Sequence, residues 1–245
     1  MSVAAALVVL VAALVTATVS GVLGMAGGIL LLGVLLLVLP VAPAFVVHGL
    51  LQLVSNGWRA VLHREHVAWR VVGWYAVGAV VAAALVAAVS YVPSKPVVYL
   101  LLGLVPALVW VPRRWLHLDA ERPAQAVLCG VLVTSLNVVA GVAGPLLDVF
   151  FVRSTAGRYR VVATKAATQA LAHLAKVVVY GGAAVSGAGV PWLVVALAVP
   201  LSMTGTALGG RLLARLSDRG FATTTRWVVT AVGGAYLVQA AVLAA

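Results

Sequence analysis

A succession of apolar runs, most of them near 20 residues, limits this 245-residue chain more than any other feature. At about 1.5 Å per residue, that is the length of α-helix needed to cross a ~30 Å hydrocarbon core. The runs cover residues 2–22, 44–62, 70–90, 97–111, 124–143, 161–182, 191–213 and 223–243, with shorter apolar pieces at 29–39 and 146–152. They do not alternate with period two, which excludes an outer-membrane barrel. Only 9% of residues are charged, against about 25% in soluble domains. The sequence therefore predicts an all-α polytopic membrane protein, with residues 1–245 forming one integral membrane domain.

Two of the segments carry glycine breaks. Gly21-Val22-Leu23-Gly24-Met25-Ala26-Gly27-Gly28 separates 2–22 from 29–39, and Gly141-Val142-Ala143-Gly144-Pro145 separates 124–143 from 146–152. An apolar piece of 11 residues or fewer cannot span the core alone, so each break marks a kink or a re-entrant turn within the membrane. Gly24, Gly27, Gly28, Gly141 and Gly144 are candidate gate positions whose backbone faces a ligand.

A polar stripe also occurs twice. His48, Gln52, Asn56 and Arg59 share the spacing of Lys165, Gln169, His173 and Lys176. That spacing holds four side chains within an arc of about 80° on a helix. Lipid cannot satisfy such a stripe, so it must face protein, water or a ligand. One offset of 117 residues places the first stripe on the second and Gly24-Met25-Ala26-Gly27 on Gly141-Val142-Ala143-Gly144. The chain reads as repeat one over 1–112, a linker over 113–122 and repeat two over 123–245.

The net charge of +11 comes mostly from loops 63–70, 112–122, 153–160 and 214–220. Basic loops between apolar runs mark the cytoplasmic side, so the charge signals orientation and not nucleic-acid binding. Loops 40–43 and 183–190 carry no charge, and 91–96 has only Lys95. Segment 123–152 then begins and ends in the cytoplasm, and by the repeat 2–40 begins and ends outside. Corresponding loops fall on opposite sides, giving inverted-topology repeats of about four hydrophobic segments each, the first glycine-broken or re-entrant. The N-terminal run lacks the basic stretch of a signal peptide and is expected in the mature chain.

A mid-membrane Lys or Arg costs roughly 2.5–3.5 kcal/mol. Arg59, Lys165 and Lys176 therefore need a reason to be there. Snorkelling to the interface serves for Arg59 and Lys176 if they lie near helix ends. The matched stripes favour a binding face instead. Gln52, Asn56 and Gln169 add neutral donors, and His48 and His173 add groups able to titrate. In an inverted repeat the stripes cross in opposite senses, so Gln52 and Asn56 meet Gln169 and His173 near the centre. This set suits a small oxyanion, with helix N-termini at the breaks as further donors. Asp148 has Lys165, Lys176, Arg153 or a proton relay with His173 as its candidate roles, so proton coupling is assigned to His173 or Asp148. His63-x-x-His66 lacks the partners of a metal site, Cys129 is a single cysteine, and no catalytic constellation is present. Neither a metal, a cofactor nor an enzymatic activity is expected.

With its glycine-rich first break, the Gly141–Pro145 echo, and a stripe helix followed by a basic loop and Trp69, the sequence resembles the sulfite exporter TauE/SafE family, also called toluene-sulfonate uptake permeases. The resemblance covers nearly the whole chain. It implies movement of sulfite, sulfonates or related organic anions across a bacterial cell membrane. There are departures: Ala26 and Gly33 stand where the family often has glycine and proline, Pro145 replaces a glycine, and Asp148 is unusual. Substrate identity does not transfer.

The resulting expectation is a multi-pass secondary transporter in the bacterial inner membrane. Its small anion would lie between two pseudo-symmetric polar faces formed by Gln52, Asn56, Arg59, Gln169, His173 and Lys176, with His48 and Lys165. Its partners are that anion and the lipid bilayer, with a homodimer left open. The alternative is a scaffold or accessory subunit whose polar stripes only pack helices. Direction of transport and coupling ion are not readable.

Overall fold

The computed structural model describes residues 2–23, 26–89, 91–112, 118–151, 154, 157–186, 191–213 and 218–245. These are helical, with no strand among them. The order is α1 (Val3–Leu23), α2 (Ala26–Val38), α3 (Val41–Leu62), α4 (Trp69–Val89), α5 (Lys95–Leu104), α6 (Pro123–Ala140), α7 (Gly144–Phe151), α8 (Arg158–Ser186), α9 (Trp192–Leu213) and α10 (Asp218–Ala244). Helices α1, α4, α6, α9 and α10 are long and apolar enough to cross a membrane. They leave large aliphatic side chains such as Leu7, Val80, Leu85, Leu193 and Val238 on the outer surface, as a lipid-facing exterior requires.

Both glycine breaks separate helices. In the first, α2 folds back along α1. A Cβ on Gly27 would run into the Thr16 carbonyl and Ser20, so a larger residue would force this pair apart. In the second, Gly141 caps α6 in the left-handed region at φ 81°, a conformation that favours glycine.

Several boundaries differ from the sequence reading, among them the start of α10, at Asp218 rather than 223. Residues 97–111 are not one continuous α-helical span. Instead α5 passes into a 3₁₀ segment, Val105–Trp110, because Pro106 cannot donate to the α-helical ladder. The slimmer 3₁₀ helix rises about 2 Å per residue, so the two together still reach about 27 Å. Helix α3 begins at Val41 rather than 44, since Pro43 is tolerated in a first turn. Helix α8 begins at Arg158 and ends at Ser186, taking in Arg158 and Arg160 from the expected basic loop.

The polar-striped helices α3 and α8 lie inside and pack on each other. They run antiparallel: Phe45 meets Tyr180, His48 meets Lys176, and Ala60 shares a cluster with Ala163. Helices α5 and α10 are also antiparallel, since Tyr99 meets Tyr236 and Trp110 meets Trp227. Helix α1 packs along α9 as α6 does along α4, and α3 on α9 as α8 on α4. Exchanging the two halves of the chain leaves this pattern of neighbours unchanged.

Candidate functional site

Glycine brings the two polar helices together. A Cβ at Gly49 would lie 2.7 Å from Val177 Cγ2 and 3.4 Å from the His173 carbonyl, so α3 approaches α8 closely at this turn. Further along α3, the Ser55 and Thr206 hydroxyls meet at 2.7 Å and tie it to α9. The backbone N–H of Ala68 donates to Thr164 Oγ1 at 2.9 Å, fixing the following loop on α8.

Where the two faces meet there is a cavity of about 30 Å³, lined from six helices, four of which bring polar side chains. Helix α3 gives His48 and Gln52, and α8 gives Gln169 and His173. Ser20 comes from α1, Asn137 from α6, Gly28 from the first turn of α2, and Gly144 from the start of α7. Both broken helices thus border the same space. A cavity needs at least about 10–15 Å³ to admit a water, so this one is large enough to be hydrated.

Lys176 does not itself line this cavity; it stands behind His48 and is fully buried. Its Nζ donates to the Gly141 carbonyl at 2.8 Å and to His48 Nδ1 at 2.6 Å. The ammonium also stands 5.5 Å from the centre of the Phe45 ring, a cation–π distance. His48 Nε2 meets the Gly28 carbonyl at 2.9 Å. A carbonyl only accepts, so Nε2 carries the hydrogen and Nδ1 offers its lone pair to Lys176. One Lys–His pair therefore bridges the two glycine breaks. His173 lies edge-on to His48 at 5.4 Å between ring centres, and its Nδ1 is 3.4 Å from Asn137 Nδ2. Asn137 Oδ1 is buried with no hydrogen-bond partner among the described residues.

The eight stripe residues divide into groups. His48, Gln52, Gln169 and His173 line the cavity, with Lys176 behind His48. Asn56 lies one turn away and donates to the Gln52 side-chain oxygen at 3.2 Å and its carbonyl at 3.0 Å, which orients Gln52. Lys165 does not line the cavity. It forms an ion pair with Asp148, both side chains being about one-third exposed or less. Arg59 does not line it either; its Nη2 is buried with no hydrogen-bond partner among the described residues. Its charge is felt by His63, outside the span, whose pKa is lowered by partial burial, then by His66, then by Arg59. The idea that Lys176 snorkels fails: α8 continues ten residues past it, so its ammonium lies deep within the protein. Gly28 and Gly144 line the cavity, Gly141 holds Lys176, and Gly27 packs against α1. Gly24 and Arg153 lie outside the described residues.

Ser20 and Asn137 are absent from the polar stripes. The signal for them was present, because the 117-residue offset carries Ser20 onto Asn137, each four residues before its break glycine. The same offset carries Leu31 onto Asp148. It also carries His48 onto Lys165, so the second half has a Lys–Asp ion pair where the first half has His48 and Leu31.

A family model described as Sulfite exporter TauE/SafE matches residues 9–236, nearly the whole chain. Comparisons with curated proteins and with solved structures give no match.

Proposed function

We propose that the chain, which belongs to the Sulfite exporter TauE/SafE family, carries one small anion at a time in the cavity between α3 and α8. Membership of this family implies a membrane transporter of sulfite or related anions. One observation carries the proposed arrangement: the Lys176 side chain is completely buried, and its hydrogen bonds go to neutral acceptors, His48 and the Gly141 carbonyl. A buried cation without a carboxylate is costly, and an anion in the adjoining cavity would offset that cost. Gln52, Asn137 and Gln169 supply amide donors, Ser20 a hydroxyl and His173 a ring N–H. The cavity is small, which favours a compact oxyanion such as sulfite or a short sulfonate over an aryl sulfonate in this conformation.

The antiparallel pairing of α3 with α8 and of α5 with α10 supports reading the halves as inverted repeats. Such repeats rock against each other around a fixed midplane site. In this reading the glycine breaks open alternately, each releasing one side of the cavity. The basic loops orient the molecule with 63–70 and 112–122 in the cytoplasm.

Thermal unfolding of the purified protein in detergent, against sulfite, thiosulfate, methanesulfonate, sulfate and acetate, tests the site. An anion at about 100 times its dissociation constant stabilises by about 2.7 kcal/mol, and this gain is expected to vanish in Lys176→Met. A protein that unfolds cooperatively with no shift from any anion would contradict the reading and favour a packing role for the polar stripes. A shift undiminished in Lys176→Met would remove Lys176 from the site.

A further inference from the structure

The hydrogen bonds around His48 set the largest number of protons the Lys176–His48 pair can hold while they last. Nε2 is committed to the Gly28 carbonyl, and Nδ1 accepts from Lys176 at 2.6 Å. This contact exists only while one of the two facing nitrogens keeps a lone pair. A charged lysine with a neutral imidazole satisfies it; a charged lysine with an imidazolium does not, because two N–H groups would then point at each other. Adding a proton to His48 Nδ1 breaks the Lys176–His48 hydrogen bond, and Lys176 keeps its bond to Gly141.

Two positive charges side by side in this interior need a negative charge nearby, and the cavity that His48 lines is where one can enter. Resting on the anion reading above, we propose that the Lys176–His48 pair is the proton-coupling site of the transporter, taking up one proton on His48 Nδ1 for each anion bound. The proton comes from water entering the cavity with the anion and returns to water when the anion leaves. Because the pair bridges Gly28 and Gly141, losing its central hydrogen bond also disconnects the two glycine breaks. Proton uptake thereby frees one broken helix to move relative to the other.

The surroundings favour this pair over the other titratable groups. Among the described residues, His173 is the further titratable ring against His48, and its Nδ1 faces Asn137 and not a cation. Asp148 on α7 is engaged by Lys165 and does not line the cavity. Tyr180 on α8 packs on Phe45. Helices α1, α2 and α6 bring Ser20, Gly28, Val133 and Asn137 to the cavity beside the pair, all uncharged. Cys129 and Tyr75 belong to a separate cluster between α4 and α6.

The test is proton uptake by the purified full-length protein in weakly buffered detergent, read with a pH indicator as anion is added. Methanesulfonate serves as a probe of fixed charge, and sulfite runs beside it, corrected for its own titration. The expected result is one proton taken up per anion bound, with affinity rising up to about tenfold per unit fall in pH. In His48→Gln, whose amide can still meet Gly28 and Lys176, the bound anion brings no proton, whatever the affinity. His173→Gln weakens binding yet keeps one proton per anion. Should His48→Gln fail to fold, ¹⁵N spectra of the wild-type histidines give a separate reading: a bare Nδ1 without anion, and one histidine converted to imidazolium with it. Binding without proton uptake, or without a new imidazolium, overturns the proposal and leaves the anion site standing. No binding of either anion at any pH overturns both.

Discussion

At the scale of single residues, charge and conformation are set by what each residue packs against. Gly141 shows this for conformation. It needs φ 81°, and a Cβ there would lie 3.1 Å from Phe45 and press on Leu32. Gly141→Ala is expected to destabilise by about 1–3 kcal/mol, read as a lower unfolding midpoint in detergent, and a midpoint unchanged from wild type would contradict the strain. Lys165 and Asp148 show it for charge. Removing either partner leaves the other in a partly buried place, so Lys165→Met or Asp148→Asn should each cost more than the double variant, a coupling of about 0.5–3 kcal/mol by double-mutant cycle. Simple additivity would mean that the pair does not matter to stability. What the sequence disclosed at this scale was uneven. His48, Gln52, Gln169 and His173 were found from spacing alone, because a polar stripe on an apolar helix has few other uses. Lys176 looked like a residue near a helix end, since the glycines after it resemble a terminus; α8 runs through them, and only the fold reveals the burial. Ser20 and Asn137 stand alone in apolar runs, where a single small polar residue gives no periodic signal.

At the scale of elements, close packing depends on glycines placed against backbone. On α6, a Cβ at Gly130 would lie 3.0 Å from the Ala79 nitrogen and press on the Tyr75 carbonyl. On α9, one at Gly205 would lie 3.0 Å from Ala17 and press on the Leu14 carbonyl. Gly57 on α3 faces nothing within 4 Å. Gly130→Ala and Gly205→Ala are therefore expected to lower stability by about 1–3 kcal/mol, whereas Gly57→Ala should be neutral or raise it by up to about 1 kcal/mol through helix propensity. Comparable losses at all three would contradict the packing account. The elements were readable because hydrophobic runs of membrane length have one regular solution, the helix. Their ends were less so. Pro43 and Pro106 look alike in sequence, yet one sits harmlessly in the first turn of α3 and the other turns α5 into 3₁₀ helix. What decides is how many backbone N–H groups upstream still need a partner, which depends on where the helix began.

At the scale of the whole molecule, α1 packs along α9 as α6 does along α4, and α3 on α9 as α8 on α4. The two halves share part of their neighbour pattern, but His48 and Leu31 stand where the second half has the Lys165–Asp148 ion pair. Inverted repeats also require the N-terminus to lie on the side opposite loops 63–70 and 112–122. A reporter fused to the N-terminus should report the outside and one in 112–122 the cytoplasm; both on one side would contradict the topology. The account rests most heavily on the passage of an anion through the Lys176 cavity. The most direct measurement is counterflow of labelled sulfite into liposomes holding the purified protein, with Lys176→Met beside the wild type. The account predicts saturable exchange that competes with methanesulfonate and falls at least tenfold in Lys176→Met, while Gly57→Ala stays near wild type. Exchange at the wild-type rate in a folded Lys176→Met protein would contradict it.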